Sequence, residues 1–233
     1  CFNLQSAERV KKMGECKSKI FVTGCPSIDI AYEVKEKNDK TTKGINLNGV
    51  GYNINLEKPY LVVLQHPVTY EWKEAQKQIE HTLNVIKNIK IPTVWFWPNI
   101  DAGSDLTSRS IRIFREKNKN LSIKFVKNLS PENFLKLLYN SQCLIGNSSV
   151  GIRECSFLGV PVVNIGSRQK GRDRGHNVID VNYNESRIFE AIKFQIQHGK
   201  YSSENIYGNG NAGENIANLL SEIELTFKKE ITY

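Results

Sequence analysis

From residue 60 onward the chain alternates short, almost purely apolar runs with longer segments in which apolar residues recur at helical spacing. Apolar runs of this kind are typical of strands that are covered on both faces, because neither face then meets water. Strands that alternate with helices of roughly 8–20 residues predict a parallel sheet with right-handed crossovers. The predicted strands are residues 60–65, 93–97, 123–126, 143–146 and 162–165, and the predicted helices are residues 70–89, 107–117, 131–139 and 151–158. The pattern therefore predicts an α/β domain built on a doubly wound sheet.

The segments on either side of this pattern are less regular. Residues 20–24 are rich in β-forming side chains and predict a further strand, and an apolar stripe after Ser27 predicts a helix. Residues 35–55 are rich in Lys, Asn and Gly and are interpreted as a surface linker. Residues 214–228 have apolar positions at helical spacing and predict an amphipathic C-terminal helix.

The charge of the chain limits its partners. The sequence has 32 Lys and Arg against 24 Asp and Glu, a net charge of +8. Such an excess suits an anionic partner, which can be nucleic acid, a membrane surface or a phosphorylated small molecule. The basic residues are scattered rather than interleaved with aromatic residues, which favours a solvated basic surface over nucleic-acid binding. Apolar runs stay well below the ~20 residues that a membrane span needs, and residues 1–19 are polar and charged, unlike a secretory signal.

The five cysteines are odd in number and form no CxxC pair. This pattern argues against a disulfide framework or a zinc site and favours a reducing cytoplasm. Cys143 and Cys155 have apolar neighbours and are predicted to be small buried side chains. Because the sequence has no cluster with metal-ligand spacing, neither a metal nor a redox cofactor is predicted.

The loop after the fourth predicted strand carries two adjacent serines, Ser148 and Ser149, with Glu154 close behind. In parallel sheets, ligands bind where strand ends meet helix N-termini. Small residues let a phosphate approach the backbone, hydroxyls and unpaired N–H groups donate to it, and Glu154, one turn into the helix, can accept from ribose hydroxyls. The alternative is a serine N-cap with Glu154 favouring the helix start. The loop lacks the GxGxxG and GxxxxGK[ST] spacings of dinucleotide and P-loop sites.

Two other strand ends carry groups suited to a phosphate. The fifth predicted strand leads into a cationic, glycine-flanked loop, residues 166–172, in which Arg168 and Arg172 can form forked hydrogen bonds. The first is followed by His66, held by Pro67, which can donate to a phosphate or hold a proton. The alternatives are a solvated basic turn and a structural histidine. Together with the serine loop, these loops predict an anion site at one edge of the sheet.

A further loop, residues 98–104, follows the second predicted strand and leads into a helix that carries Arg109 and Arg112. Its small residues and Asp101 suit a binding loop. A turn with an N-cap, followed by a helix with a basic solvent-facing side, explains the same residues equally well.

Seven sequence segments, taken in chain order, are more specific than any single loop. They are VTGCPSID (22–29), LQHPVT (64–69), PNIDAGS (98–104), IGNSSVGIRE (145–154), GVPVVNIGSRQKGR (159–172), NVIDV (177–181) and IYGNGNA (206–212). They resemble the hydrolysing UDP-N-acetylglucosamine 2-epimerases, which are bacterial enzymes of sialic-acid synthesis and the epimerase domain of the animal bifunctional epimerase/kinase. The QHP and SRQKGR loops differ from those of the non-hydrolysing epimerases, which favours the hydrolysing branch.

The resemblance implies a GT-B-like fold, in which two Rossmann-type α/β domains, each a parallel sheet with helices on both faces, enclose the active site. It implies that this chain, which begins with Cys1, is a piece of a longer enzyme. The implied divisions are residues 1–50 for the C-terminal portion of the N-terminal domain and a linker, 51–212 for the complete nucleotide-binding C-terminal domain, and 213–233 for a C-terminal helix. The family's N-terminal catalytic carboxylates lie in segments that do not match this sequence.

The family's functional residues can be carried over position by position. His66 falls on the catalytic-cleft histidine of the family. The implied nucleotide contacts are Ser148 and Ser149 to phosphate, Glu154 to ribose, Arg168 near the nucleotide and Leu129 through its main chain to uracil. A region that binds the feedback inhibitor CMP-sialic acid in the animal enzyme corresponds to Asp101, Arg109, Arg112 and Lys127.

The implied reaction removes the C2 proton of the sugar, expels UDP and adds water to give N-acetylmannosamine, and it requires no metal or cofactor. The implied partner is a UDP-sugar rather than nucleic acid or a membrane, and the full-length enzyme is expected to be a cytoplasmic homo-oligomer, either a dimer or a tetramer. The alternatives are a hydrolysing epimerase that uses GDP-N-acetylglucosamine in legionaminic-acid synthesis, and a GT-B glycosyltransferase, which needs an acceptor. A non-catalytic nucleic-acid-binding module is the alternative that the net charge suggests.

Overall fold

The computed structural model of the protein describes residues 1–36 and 41–224. In chain order its elements are α1 (Leu4–Lys12), α2 (Pro26–Glu36), β1 (Gly49–Gly51), β2 (Leu61–Leu64), α3 (Ala75–Ile89), β3 (Thr93–Phe96), α4 (Ser104–Lys117), β4 (Ile123–Val126), α5 (Pro131–Asn140), β5 (Cys143–Gly146), α6 (Ser149–Ile152), α7 (Glu154–Leu158), β6 (Val162–Ile165), β7 (Val178–Val181), α8 (Glu185–His198) and α9 (Ala212–Glu222). Across these described ranges, every helix is too short or too polar to cross a membrane.

The strands form one seven-stranded sheet in the order β1-β4-β3-β2-β5-β6-β7. The pair β1 and β4 is antiparallel, and every other pair of neighbours is parallel. Because the parallel strands point the same way, the loops that follow β2, β3, β5 and β6 all emerge along one edge of the sheet.

Side chains alternate between the two faces of the sheet, and each face has its own buried core. Leu61 and Val63 of β2 belong to the core beneath α3, α4 and α8. Val62, between them, belongs to the core beneath α2, α5 and α7. Full burial of one such side chain contributes roughly 1.5–3 kcal/mol. The predicted α/β class, a parallel sheet with helices on both faces, is confirmed, and so is the burial of Cys143 and Cys155.

The strand predicted at residues 20–24 is wrong. This segment is extended, but its backbone groups bond to the start of the chain: the Thr23 N–H donates to the Cys1 carbonyl at 3.1 Å, and the Cys1 amino group donates to the Phe21 carbonyl at 2.7 Å. Gly24, with φ of +88°, then turns the chain into α2. β-forming composition is therefore not sufficient for a strand here.

The predicted linker contains a strand that the sequence pattern did not reveal. Gly49 and Gly51 of β1 lie so close to β4 that an added Cβ atom would be 2.0 Å and 2.3 Å from main-chain oxygens of Phe125 and Ile123. The glycines that indicated a linker are therefore required for close pairing at the sheet edge. The elements α1, β7 and α8 were also not predicted. The C-terminal helix ends at Glu222, where the next residue is extended, and residues 225–233 lie outside the described residues.

Candidate functional site

His66 follows β2 and is a buried side chain, 5% exposed. Its Nδ1 accepts a hydrogen bond from the Asn99 N–H at 3.1 Å, from the loop after β3. The pKa of His66 is lowered from 6.5 to about 4, mainly by burial and also by the nearby Arg168, while Asp101 opposes the shift. The imidazole is therefore neutral at pH 7. Because Nδ1 is an acceptor, the proton resides on Nε2, and the ring presents an N–H donor rather than a base.

Arg168 follows β6 and contacts two neighbouring loops. Its Nη2 lies 3.5 Å from Oδ2 of Asp101, in the loop after β3, and its Nη1 donates to the main-chain carbonyl of Asn147 at 3.4 Å. The side chains of Arg168 and Asp101 are 27% and 33% exposed. A guanidinium held at the mouth of the site with part of its surface free can still donate to a phosphate.

Arg153 connects Ser149 to Glu154, and Ser148 directly precedes Ser149. Ser148 caps α6 loosely, its Oγ accepting from the Val150 N–H at 3.4 Å. The Nη2 of Arg153 donates to the Ser149 hydroxyl and to Oε1 of Glu154, both at 3.4 Å. Glu154 is 5% exposed, and across the described residues its other oxygen, Oε2, is buried without a hydrogen-bond partner. Such an acceptor is costly unless a ligand donates to it.

The single helix predicted at residues 151–158 is wrong. Two short helices, α6 and α7, meet at Arg153, whose φ of −97° and ψ of −77° depart from ideal α-helical values within the right-handed region. The break occurs at the residue whose side chain turns back to the Ser149 hydroxyl. Because α6 is only one turn long, its dipole is small, and Glu154 begins the second helix instead of lying one turn into the first. For binding an anion at this position, the hydroxyl and side-chain donors are therefore more important than the helix dipole.

The loops that carry His66, the serines and Arg168 thus emerge together at one edge of the sheet. With this geometry established, the chain can be compared with known proteins. The sequence profile of the family described as "UDP-N-acetylglucosamine 2-epimerase" matches residues 1–221. The chain belongs to this family.

Curated relatives within the epimerase family differ in the sugar that their names specify. The chain is 29% identical over 220 residues, 94% of its length, to the "UDP-N,N'-diacetylbacillosamine 2-epimerase (hydrolyzing)" of Legionella pneumophila, of which it covers 56%. It is 29% identical over 213 residues, 89% of its length, to the "UDP-N-acetylglucosamine 2-epimerase" of Neisseria meningitidis, of which it covers 52%. It is 30% identical over 188 residues, 80% of its length, to the "GDP/UDP-N,N'-diacetylbacillosamine 2-epimerase (hydrolyzing)" of Campylobacter jejuni, of which it covers 47%. The chain therefore spans about half the length of the curated relatives that it matches.

Solved epimerase structures share the fold. The UDP-GlcNAc 2-epimerase of Methanocaldococcus jannaschii, in complex with UDP-GlcNAc and UDP, superposes with a TM-score of 0.69 at 20% identity, over 95% of this chain and 60% of that one. The enzyme from Neisseria meningitidis bound to UDP-GlcNAc gives a TM-score of 0.69 at 16% identity, with 95% and 60% coverage. The GT-B-like, Rossmann-type architecture predicted from the sequence is confirmed.

The remaining positions carried over from the epimerase family have different surroundings. Arg109, Arg112 and Lys127 are exposed, and the Arg112 guanidinium lies 5.9 Å from the centre of the Trp97 ring. The Leu129 side chain packs against the core, and its N–H donates to Oδ1 of Asn128 at 2.9 Å. The structure therefore brings Asp101 to Arg168 while the other predicted regulatory residues face solvent. Arg172 is also exposed.

Sequence reasoning missed the amide side chains that hold the epimerase loops together. Asn147 is fully buried and Gln169 is 2% exposed, and the Gln169 Nε2 donates to the Asn147 carbonyl at 2.8 Å. Their positions within the NSS and SRQ segments were the available clue, because an amide adjacent to a binding residue can fix its loop. In the described part of the chain, the His, Cys, Asp and Glu side chains form no group of three or more that could hold a metal ion.

A groove of about 1020 Å³ lies beside this site, next to β7 and α8. Its lining includes Ser167 and Glu71 but not His66, Glu154 or Arg168. The groove is therefore separate from the side chains of His66, Glu154 and Arg168, which we take as part of the candidate site.

Proposed function

We propose that this chain supplies the nucleotide-binding part of a hydrolysing UDP-N-acetylglucosamine 2-epimerase, which converts its substrate to N-acetylmannosamine and UDP for sialic-acid-type sugar synthesis. Family membership and the names of two hydrolysing relatives support this proposal. As part of the same proposal, the whole enzyme is a cytoplasmic homo-oligomer.

The observation that carries the proposal is the unpartnered buried oxygen of Glu154 beside a set of donors. A carboxylate oxygen only accepts, so the ligand must offer it a hydroxyl or N–H group. The hydroxyls of Ser148 and Ser149 and the Arg168 guanidinium donate, so the ligand must also offer an anion. A nucleoside diphosphate has both, with ribose hydroxyls for Glu154 and phosphate oxygens for the donors.

Hydrogen bonds and direct sequence neighbours link Arg168 to Glu154. Arg168 bonds to Asn147, which directly precedes Ser148, and Arg153 connects Ser149 to Glu154. We therefore propose that all these side chains serve one ligand. In the alternative, in which Ser148 is only an N-cap, the described residues supply no donor to this oxygen of Glu154.

The proposed chemical role of this set is stabilisation of the leaving group. Expulsion of UDP places new negative charge on the diphosphate, and donors that are already oriented toward it lower the barrier. The Nε2–H of the neutral His66 can donate to an oxygen of that leaving group. The main chain of Leu129 is proposed to contact uracil through its carbonyl, because its N–H already donates to Asn128.

We also propose the division of the chain into residues 1–50, 51–212 and 213–233. Helix α9 supports a connection between the first and last parts, because Asp29 of α2 accepts hydrogen bonds from the N–H groups of Ala212 and Gly213 at 2.9 Å and 2.7 Å. The sheet strand β1 straddles the proposed boundary at residue 50. A truncated chain that starts after β1 is expected to fold less stably than one that starts before it.

Calorimetric titration of the 233-residue chain with UDP tests the binding part of the proposal. We expect saturable 1:1 binding without added metal and no efficient turnover, and absence of UDP binding contradicts the proposal. For the reaction, the enzyme that contains this chain is incubated with UDP-N-acetylglucosamine and no acceptor. Free N-acetylmannosamine supports an epimerase, whereas product formation that requires an acceptor supports a glycosyltransferase.

A second candidate is a hydrolysing epimerase that acts on a GDP-sugar, such as GDP-N-acetylglucosamine, or on a diacetylated sugar. The names of the relatives from Legionella pneumophila and Campylobacter jejuni favour it. Parallel titrations with UDP and GDP test the base, and incubation of the whole enzyme with UDP-N,N'-diacetylbacillosamine in place of UDP-N-acetylglucosamine tests the sugar. Tighter binding of GDP supports the second candidate.

Asp101, Arg109, Arg112 and Lys127 are proposed as a regulatory site for an anionic nucleotide-sugar such as CMP-sialic acid. The exposed cations Arg109, Arg112 and Lys127 support the anionic class of ligand. Titration with CMP-sialic acid in the presence of saturating UDP tests this proposal, and an absence of additional heat contradicts it.

A further inference from the structure

Asn147 lies at the end of β5, between three strand-end loops, and is fully buried. Its side chain lies against the main chain of His66: Oδ1 accepts from the His66 N–H at 2.7 Å, and Nδ2 donates to the His66 carbonyl at 2.8 Å. The amide therefore satisfies both backbone groups of His66, as a neighbouring strand would.

The main chain leaves the sheet at Asn147. The strands β2 and β5 pair as far as Leu64 and Gly146, and the Asn147 N–H then donates to the Leu64 carbonyl at 3.2 Å. Gly146 has a φ of +137°, and an added Cβ atom would lie 2.1 Å from the Leu64 carbonyl oxygen. The glycine therefore permits a turn in which the backbone continues to the serines while the Asn147 side chain stays with His66.

The carbonyl of Asn147 faces the third loop. It accepts from Nε2 of Gln169 at 2.8 Å and from Nη1 of Arg168 at 3.4 Å. One residue thus contacts the loop of His66 through its side chain and the loop of Arg168 through its main chain, and it directly precedes Ser148. Few residue types can replace it, because an ionised aspartate cannot donate to a carbonyl and leucine makes neither bond.

We propose that Asn147 is the positioning residue of this site, which holds His66, the serine hydroxyls and Arg168 in the arrangement that binds a nucleoside diphosphate. This inference rests on the proposed function for its ligand. Its geometric part, the control of His66 and Arg168 by Asn147, is independent of any ligand.

The test compares Asn147→Asp with Asn177→Asp in the 233-residue chain. Asn177 is a matched control because it is equally buried, its Nδ2 donates to the Val160 carbonyl at 2.8 Å, and it lies at the opposite, amino end of β6 and β7. NMR titration of the His66 ring and calorimetry with UDP are carried out on both variants. If a buried carboxylate simply destabilises the fold, both variants should show the effect.

We expect Asn147→Asp to weaken UDP binding at least tenfold and to raise the pKa of His66 from about 4 toward 6.5. In the wild type, Arg168 opposes protonation of His66 and Asp101 favours it. The carboxylate introduced at position 147 favours the imidazolium directly, and it also competes for Arg168. Asn177→Asp is expected to leave both quantities unchanged. In addition, the loss caused by His66→Gln should be smaller in the Asn147→Asp background than in the wild type.

Unchanged UDP affinity and unchanged His66 titration in folded Asn147→Asp overturn the proposal. If that variant does not fold, Gln169→Leu replaces it, because the substitution removes the donor to the Asn147 carbonyl at similar side-chain volume. About fivefold weaker UDP binding supports the proposal, and wild-type affinity overturns it. If the wild type itself does not bind UDP, the proposed function fails, and the His66 titration still decides the role of Asn147.

Discussion

Asp101 and Arg168 face each other across the mouth of the site, with Oδ2 and Nη2 separated by 3.5 Å. They come from the loops after β3 and β6, which are separated in the sheet by β2 and β5. The acidic partner therefore offsets part of the positive charge of the arginine that we assign to the phosphate. A bound anion must compete with Asp101 for Arg168.

We predict that Asp101→Asn tightens UDP binding about two- to fivefold, because it removes the competing charge, and partly exposed ion pairs contribute less than about 1 kcal/mol. Calorimetry at low ionic strength measures the change. Asp105→Asn, an exposed acidic residue in the first turn of α4, serves as the control and should have no effect. Weaker UDP binding in Asp101→Asn would show that Asp101 orients Arg168 instead of competing for it.

Arg168→Met is predicted to weaken UDP binding at least tenfold and to lower turnover of the whole enzyme strongly without unfolding it. A charge-assisted hydrogen bond to phosphate contributes roughly 1.5–3 kcal/mol, and methionine keeps the apolar part of the side chain. Arg187→Met provides the control, because Arg187 lies on α8 with a side chain that is 74% exposed. Equal UDP affinities in the two variants would remove Arg168 from the phosphate site.

The buried, neutral His66 predicts a specific dependence of stability on pH. Above pH 6.5 the side chain is neutral in both the folded and the unfolded chain. Between pH 6.5 and about 4 only the unfolded chain takes up the proton, so the free energy of unfolding decreases as pH falls. Between pH 7 and 4.5 this loss amounts to roughly 2–2.5 kcal/mol.

Urea unfolding at pH 7 and 4.5 measures this loss. The difference between the two pH values should be smaller in His66→Gln than in the wild type, whereas His198→Gln, at an exposed position on α8, should keep the wild-type difference. His66→Ala should also lower turnover of the whole enzyme strongly. An unchanged pH dependence in His66→Gln would mean that the pKa of His66 is the same in the folded and the unfolded chain.

For Glu154→Gln we predict at least tenfold weaker binding of UDP and a loss of discrimination against 2′-deoxyuridine diphosphate. The wild type should bind the deoxy nucleotide more weakly than UDP, because Oε2 of Glu154 then lacks a donor. Glu190→Gln, on the exposed side of α8, is the control and should discriminate as the wild type does. If Glu154→Gln still discriminates between the two nucleotides, the ribose contact lies elsewhere.

The anchoring of α9 predicts a stability effect at a distance from the site. Asp29→Ala removes the acceptor for two N–H groups at the start of α9, and we expect a loss of about 1–2 kcal/mol. Urea unfolding at pH 7 measures it, with Asp105→Ala as the control. No loss in Asp29→Ala would mean that α9 contributes little to the cooperative unit.

The part of the fold that could be predicted from sequence is the part with strong periodicity. The apolar runs at 123–126, 143–146 and 162–165 are strands with the predicted bounds, since buried parallel strands have little tolerance for polar residues. The edge strands β1 and β7 were not predicted, because Gly49–Gly51 has no apolar pattern and β7 is only partly buried. An apolar pattern in the sequence reflects burial of the strand, and strands at the edges of a sheet are less buried than central ones.

The candidate site shows a similar limit. The binding groups were predicted from their chemistry at strand ends, and the structure brings Asp101 and Arg168 together with His66. The break at Arg153 and the role of Asn147 were not predicted, because both depend on side chains that bond across the fold. Local sequence carries no information on a partner that lies 81 residues away, as His66 does from Asn147.

The strand order also has a consequence for engineering. From β2 the chain proceeds outward through β3 to β4, and it then returns to the other side of β2 to continue through β5, β6 and β7. The topology reverses only between β2 and β5 in the parallel part of the sheet, where consecutive loops must diverge and leave a crevice. His66 and Asn147 flank that crevice. A circular permutation that moves the chain ends into the connection between α4 and β4, at the amino end of the strand, would preserve it, whereas a strand inserted between β2 and β5 would abolish it.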